Sequence, residues 1–555
     1  MSIRSLCALS GVLPLAAFGQ ALNPLAIPPL LATDTLVLVV DEQTHEFYPG
    51  ITTPTYGVNG PFLGPTLLMQ HGDTAHIRVE NQLDMEHTSM HWHGMQVPGE
   101  CDGGPQRMVM PGESWSLAYE VKNPAGTFWY HPHPHEMTAE QVNMGLAGMI
   151  IVQDEAEAAL ALPRTYGVDD IPVVIQDRRF LGNGQFAFGP FGDSVLVNGT
   201  AHPYIELPAQ VVRLRLLNGS NARIYQLGFE DDRPMSIIGN DGGLLDAPIA
   251  TSRVRLSNGE RSEVLVDLTG MEGDSLLLMS HATELTSSMP GSSYILWESS
   301  ALSGIDFPVL RIRVTAPTPD PVTTVPAALV PQFPPEAGDV SRTRYKSFSG
   351  NGMVGMGMFY INGLMFDMDV INDTITLGAT EDWLVLNGSD IAHPFHVHGG
   401  SFWIISRDGQ PPHPWEQGAK DMVLVDVNEQ VRIRMRFDER TNGWPFMYHC
   451  HNLLHEDNMM MLQYIVEDAT VNVRETAAED GMSVYPSPAA SVLSFTAEQP
   501  VREALLFDLN GHLVRRLALN GEPVGQLTVE GLATGPYVFE LRGERGAQRR
   551  LVMKE

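Results

Sequence analysis

The sequence predicts an all-β protein: several β-sandwich domains followed by a small separate β-module. Three observations predict it. Short alternating apolar runs are separated by turn residues, the same strand grammar recurs three times, and 52 glycines and 40 prolines favour many turns over long helices. A chain of 555 residues is too long for one core and implies three or four domains. Its ordinary apolar content implies that those cores are large.

The elements follow in order. Residues 1–20 carry one basic residue (Arg4), an apolar stretch to Phe18, and small residues Ala17 and Gly19 beside a cleavage point near Gln20, so they read as a secretory signal. No twin arginine is present, which favours the general export route. "TLVLVVDEQTHEFYPG", "TPTYGVNG", "TLLMQHGDTAHIRVENQL" and "SWSLAYEVK" are sandwich strands of a first domain over 21–155. "IPVVIQDRRF", "SVLVNGT", "QVVRLRLLNGS", "RSEVLVDLTG" and "VLRIRVTAP" give a second over 156–316, and a Pro-rich stretch over 317–340 is a linker. "TITLGATEDWLVLNGS", "SFWIISRDG" and "QVRIRMRFDE" give a third over 341–470, in which "DWLVLNGSDIA" echoes "RLRLLNGSNAR" of the second. The last segment, 480–555, has a hairpin signal at Asn510-Gly511 between alternating strands.

The formal charge of −32 argues against nucleic acid or an anionic membrane surface as partner. It lies in the body of the protein, because from Val501 onward eight Lys/Arg stand against seven Asp/Glu. Solubility accounts for it, and attraction of cationic substrates such as copper ions is the functional alternative. No run of eighteen apolar residues follows the leader, so no membrane span is expected. Cys7 leaves with the signal, which leaves Cys101 and Cys450. If Cys450 is a ligand, Cys101 has no partner and a disulfide framework is not expected.

Most histidines gather in four clusters: "HWHG" (His91, His93), "HPHPH" (His131, His133, His135), "HPFHVHG" (His393, His396, His398) and "HCHNLLH" (His449, His451, His455). In a strand, residues i and i+2 share a face, so each H-x-H pair delivers two imidazoles to one place. One such pair is weak evidence; four on short strands are hard to explain without metal. In "HCH", His449 and His451 face one way and Cys450 the other. Cys450 can thus serve one metal and its neighbours another, with a short covalent path between. A thiolate with two imidazoles and a weak thioether favours copper, and Cys450, His393, His455 and Met460 supply that set. The eight remaining imidazoles, His91, His93, His131, His133, His396, His398, His449 and His451, are too many for one ion and suit three coppers. Four coppers storing four electrons fit the reduction of dioxygen to water.

With these motifs the chain resembles the multicopper oxidases over roughly residues 40–470. "HWHGMQVPGECDGGPQ", "HPHPHEMTAEQVNMGLAG" and "HEDNMMM" are most similar to bacterial copper-efflux oxidases and laccases. The resemblance implies three cupredoxin-like Greek-key β-sandwich domains, with a trinuclear cluster between the first and third and a second domain that is a spacer. It implies a type 1 copper at His393, Cys450, His455 and Met460, type 2 ligands His91 and His396, and a type 3 pair on the other six histidines. It also implies proton delivery to oxygen by Asp102 and Glu456, in keeping with the four protons that two waters consume. His135 is expected beside the ligands rather than among them, and Cys101 as an inert small thiol.

The implied partners are dioxygen and a small reductant, either a phenol or Cu(I), with a monomer expected. Copper-efflux oxidases carry a long Met/His-rich insert in the third domain. Here it is abbreviated to "SGNGMVGMGMFYINGLMFDMD", in which Met353, Met356 and Met358 are candidate Cu(I) ligands and Met365 and Met368 read as structural. "VYPSPA", "LLFDLNGHLVRRL" and "GLATGPYVFEL" resemble the C-terminal sorting domain of type IX secretion, implying a secretion-machinery partner and an extracellular or cell-surface destination, or the periplasm if the module is not a sorting signal. Alternatives are a copper-binding electron-transfer protein without turnover, a copper nitrite reductase, which would need only one catalytic copper, and a cell-division scaffold, a use of this arrangement that typically lacks the histidines kept here.

Overall fold

Paired sheets, each closing on its own apolar core, organise the chain. The computed structural model describes residues 21–293, 300–352, 357–468, 482–497, 499–508, 512–543 and 546–555. The leader, Met353, Met356 and the Asn510-Gly511 turn lie outside these residues. Two compact units are present, Met1–Glu467 and Asp468–Glu555.

In the first unit, a four-stranded and a five-stranded sheet enclose a core that includes Leu38, Val79, Trp92, Phe128 and Ile150. Ser114–Glu120 alternates strictly between exposed and buried, as a half-solvated antiparallel strand should. An eight-stranded and a six-stranded sheet enclose the second core, around Val173, Leu214, Val264 and Ile312. Two five-stranded sheets enclose the third, around Trp383, Phe395, Val423 and Tyr448. The second unit pairs a three-stranded and a four-stranded sheet over Leu493, Phe495, Leu506 and Phe539. Its strands Val501–Phe507 and Leu513–Ala518 pair antiparallel.

The internal echo is physical. Asn218 donates through Nδ2 to the carbonyls of Arg223 (2.8 Å) and Leu256 (3.0 Å) and accepts from the Ser220 amide (3.0 Å). Asn387 does the same with Ile391 (2.7 Å), Val425 (3.0 Å) and the Ser389 amide (3.0 Å). A third copy was not legible in the sequence: Asn81 donates to Glu86 (2.8 Å) and Val109 (2.9 Å) and accepts from Leu83 (3.0 Å). A side-chain amide thus pins the chain where it leaves a strand in all three sandwiches.

One strand is buried on both faces, and one expectation changes. Every residue of Val211–Asn218 is buried, Arg213 and Arg215 included. Arg213 pairs with Glu263 and Glu157, and Arg215 with Asp170 and Glu263, so the polar face is neutralised inside the protein. Met365 and Met368, read as buried, are 40% and 37% exposed. The adjacent strand Met358–Ile361 does bury Phe359 and Ile361, but the loop after it turns outward and only Phe366 is buried.

Sheet order sets histidine strands side by side. His91–His93 is an edge strand against Gly126–His131, pairing His91 with His131. His393–Val397 pairs with Phe446–Cys450, bringing His396 opposite His449. The first and third sandwiches meet through helices Thr138–Met144 and Leu453–Asp457, where Ala139, Val142, Leu453 and Leu454 share a small apolar cluster. Asp457 accepts from the amides of Thr138 (2.9 Å) and Ala139 (2.8 Å), capping the helix whose own N-cap, Met137, offers no oxygen.

Trp383 anchors the third core, lying edge-on to Tyr448 and Tyr464 and donating from Nε1 to Glu381 (3.0 Å). Trp383→Ala is expected to lower unfolding free energy by about 3–5 kcal/mol, measured by denaturant titration.

Candidate metal centres

His449 and His451 lie on either side of Cys450 with ring centroids 5.5 Å apart, while the Cys450 side chain enters the third apolar core. On that core side, Cys450 Sγ lies 3.4 Å from His393 Nδ1 and 3.5 Å from His455 Nδ1. His393 is held from behind by Ser389 Oγ at 2.8 Å, within the Asn387-pinned turn. His455 is carried by the short helix Leu453–Asp457, with the Phe359 ring 4.5 Å away. Met460 lies in the same core as Cys450, and its carbonyl accepts the Cys450 amide (3.1 Å), whereas Met459 and Met461 pack into a separate cluster with Phe366 and Met447.

On the other side, eight imidazoles gather at the junction of the first and third sandwiches, all of them buried. Three of the four H-x-H pairs split between neighbouring donor groups, and His396 and His398 share one. His91 joins His396 and His398, His93 joins His131 and His451, and His133 joins His398 and His449, with ligand atoms in each group within 4.8 Å of one another. Three of the pairs reach past their strand ends: His133, His398 and His451 lie just beyond Gly126–His131, His393–Val397 and Phe446–Cys450.

Outer partners orient these rings. His91 Nδ1 donates to the Asp102 carbonyl (2.9 Å), His131 Nδ1 to the Pro132 carbonyl (2.8 Å) and His396 Nδ1 to the Asp421 carbonyl (2.8 Å). His398 Nδ1 donates to Asp102 Oδ2 (2.8 Å), and His449 Nδ1 to the Cys450 carbonyl (3.1 Å). His133 Nδ1 lies 3.4 Å from Glu456 Oε1. His93 is turned the other way, with Nε2 donating to Asp421 Oδ1 at 3.1 Å. On the rings that donate outward, the inward nitrogens are then lone pairs. Those of His91, His131 and His396 have no partner, while His449 Nε2 faces His398 Nε2 at 3.2 Å and His133 Nε2 at 3.4 Å, and His451 Nε2 faces His93 Nδ1 at 3.2 Å.

Converging buried lone pairs repel unless a cation lies among them. A proton is not available to do this. Burial, then the neighbouring imidazoles, holds His91, His93 and His396 well below the ordinary histidine range, and burial takes His131 down to about 3. Metal–nitrogen bonds of about 2 Å put ligand atoms about 3–4 Å apart, the spacing seen here. The donor set therefore fits metal ions. On the core side, burial pushes the Cys450 thiol up and takes His455 down to about 3, so a thiolate there also calls for a cation.

Two carboxylates flank the cluster. Asp102, at the end of the turn Gly99–Asp102, grips His398 with Oδ2 while Oδ1, 3.5 Å from His91 Nδ1, accepts no hydrogen bond, and burial raises its pKa. Glu456 lies 3.2 Å from His449 Nδ1 without an aligned hydrogen bond. Burial alone would raise its carboxyl, but His133 and His449 hold it well below the usual range. His135 lies outside the donor groups, beside Phe366 (5.5 Å). Cys101 is buried against the Ala118 carbonyl (3.8 Å), its thiol pushed up to about 11 by burial.

Sequence reasoning missed Asp421, which burial raises to about 6 against the pull of Arg261, and Arg261 itself. Read alone, "KDMVLVD" and "GERSEVLVD" show ordinary charges at strand ends.

Comparison with known proteins agrees with this geometry. The family described as "Multicopper oxidase" matches at residues 39–157 and again at 332–470. "Multicopper oxidase mco" of Staphylococcus epidermidis is 33% identical over 436 residues, covering 77% of this chain and 87% of that protein. The chain belongs to the multicopper oxidase family. A solved structure of a laccase-like multi-copper oxidase, CueO, from Ochrobactrum sp. is 34% identical with a TM-score of 0.71, covering 80% of this multicopper oxidase and all of that chain. "Cell division protein FtsP" of Escherichia coli is 36% identical over 473 residues, covering 83% of this chain and 96% of that one. Residues 483–554 match a secretion system C-terminal sorting domain, and no helix among the described residues is long and apolar enough to cross a membrane.

Gly94, next to His93, has φ +84°, and a Cβ there would lie 2.2 Å from Asp421 Oδ2 and 2.7 Å from Arg261 Nη2. Gly94→Ala is expected to lower stability by at least about 1–2 kcal/mol, the cost of a left-handed non-glycine residue alone, measured by denaturant titration of the copper-free protein.

Proposed function

We propose that this multicopper oxidase is an exported enzyme that withdraws single electrons from a small reductant and reduces dioxygen to water. The observation that carries the reading is the complete donor set, one thiolate-centred group joined through consecutive residues to eight convergent imidazoles. His393, Cys450, His455 and Met460 would hold a type 1 copper, His91 and His396 a type 2 copper, and the other six histidines a type 3 pair. Copper in these sites would supply one-electron oxidation on the thiolate side and four-electron dioxygen reduction on the histidine side.

The chain's own residues do the rest. Cys450 lies between His449 and His451, so the backbone itself joins the two sides. Phe359 and the third core keep water from the thiolate. Asp102 holds the His398 tautomer with Oδ2 and keeps Oδ1 free to pass a proton, and Glu456 sits beside His133 and His449 with both oxygens unclaimed by an aligned hydrogen bond. Two buried carboxylates at the site that consumes four protons are placed as proton relays.

The reductant is a phenol or Cu(I). Exposed Met358, with Met365 and Met368, offers soft thioethers beside the strand that carries Phe359. The sorting module supports a route to the cell surface or medium. A scaffold role, favoured by the likeness to FtsP, leaves the complete donor set without a use.

The test is oxygen uptake by the copper-loaded chain with Cu(I) and, separately, with a dimethoxyphenol, each with and without Met353, Met356 and Met358 changed to Ser. Uptake in either arm supports the oxidase. Loss of the Cu(I) arm alone in the Met variant makes Cu(I) the reductant. A fully loaded protein that consumes no oxygen in either arm refutes the oxidase reading. Asp102→Asn and Glu456→Gln are each expected to slow uptake about 10²-fold or more while the blue thiolate absorption persists, read in the same assay.

A further inference from the structure

The middle sandwich supplies no histidine to the cluster, and the sequence reads it as a spacer. The structure gives it a direct hold on the site. The turn Ser257–Arg261 enters the junction of the other two sandwiches. Gly259, at φ +81°, lies against the His451 ring, so that a Cβ there would be 3.2 Å from three of its atoms. Two residues on, Arg261 is wholly buried.

All five N–H donors of the Arg261 guanidinium are accounted for. Nε donates to the Thr127 carbonyl of the first sandwich (3.1 Å). Within the second sandwich, Nη1 donates to Gly259 (3.0 Å) and Nη2 to the Asp241 carbonyl (2.8 Å). The remaining two form a fork on Asp421 of the third, to Oδ1 at 2.7 Å and Oδ2 at 2.5 Å. One side chain therefore ties three sandwiches at one point. Asp421 in turn touches two rings of the cluster, accepting from His93 Nε2 with the clamped carboxylate and from His396 Nδ1 with its backbone carbonyl. The only room for this pair beside His93 exists because residue 94 is glycine.

His93 differs from the other rings oriented by an outer partner in that its Nε2 is the outward, protonated nitrogen, leaving Nδ1 to face His451. An unclamped Asp421 carboxyl could rotate and take Oδ1 away from His93 Nε2, freeing the ring to turn and exchange its tautomer. A bidentate guanidinium forbids this, because it fixes the carboxylate plane. We infer that Arg261 is a positioning residue of the middle domain: through Asp421 it fixes the His93 tautomer and ring, and so governs loading of the histidine-only cluster without touching it. This rests on the reading that the eight imidazoles bind copper.

The readout is the ratio of total copper per chain, by plasma mass spectrometry, to the blue thiolate absorption of the same sample. A merely structural residue lowers both together and leaves the ratio unchanged. Full-length Arg261→Met is expected to cut the ratio at least two-fold, and Arg261→Lys, which keeps charge but not the fork, to restore part of it. The double variant Arg261→Met/Asp421→Asn removes both buried charges, so it serves if the single variant does not fold, and the same loss is expected. Arg213→Met, in the buried pair with Glu263 and Glu157 that no cluster histidine joins, should lower thermal stability and leave the ratio alone. An unchanged ratio in Arg261→Met or in the double variant overturns the inference alone. A wild-type chain that binds no copper beyond the blue site overturns the histidine-cluster reading, and this inference with it.

Discussion

Eight imidazoles share one buried junction, and their inward nitrogens point at one another. Seven of the eight turn a nitrogen outward to a carbonyl or carboxylate, which removes any freedom to relieve the crowding by exchanging tautomers. His451, the eighth, has no acceptor at Nδ1 and is held by the Gly259 turn. In the absence of cations this is an unfavourable arrangement, with the lone pairs of His398 Nε2 and His449 Nε2 3.2 Å apart. The surrounding protein must therefore be rigid enough to impose it. Close-packed sandwiches on both sides, a helix capped across the junction by Asp457, and the three-way tie at Arg261 supply that rigidity.

The same constraint explains why the two sides are chemically different though they share three consecutive residues. Strand alternation sends Cys450 into an apolar core beside Phe359 and Met460, and sends His449 and His451 into a polar junction ringed by Asp102, Asp421 and Glu456. One environment excludes water and suits electron transfer. The other sets carboxylates beside the imidazoles. No long-range motion is needed to connect them.

Much of this was legible in the sequence. The four histidine clusters, the thiol inside "HCH" and the alternating strands each carry a local signal, and the asparagine echo at Asn218 and Asn387 betrayed two of three related sandwiches. The third copy, Asn81, was hidden because "VENQLDM" lacks the following Gly-Ser, although the hydrogen bonds are the same. The burial of Arg213 and Arg215 was not legible, because alternation reports a strand's own period and not what covers each face. Arg261 and Asp421 lie 160 residues apart and acquire meaning only when the fold stacks three sandwiches on one point. Spacing from Cys450 picks Met460 over Met459 and Met461, and the packing puts Met460 alone of the three in the core of Cys450.

The most direct test of the central claim is electron stoichiometry in the copper-loaded chain, with reductant oxidised, oxygen consumed and peroxide formed all measured in one vessel. A thiolate site wired to a histidine-only cluster that holds three coppers predicts about four reducing equivalents per dioxygen and no accumulated peroxide, because all the electrons reach one oxygen molecule before release. About two equivalents per dioxygen with matching peroxide would contradict it, showing that the convergent imidazoles do not act as one centre.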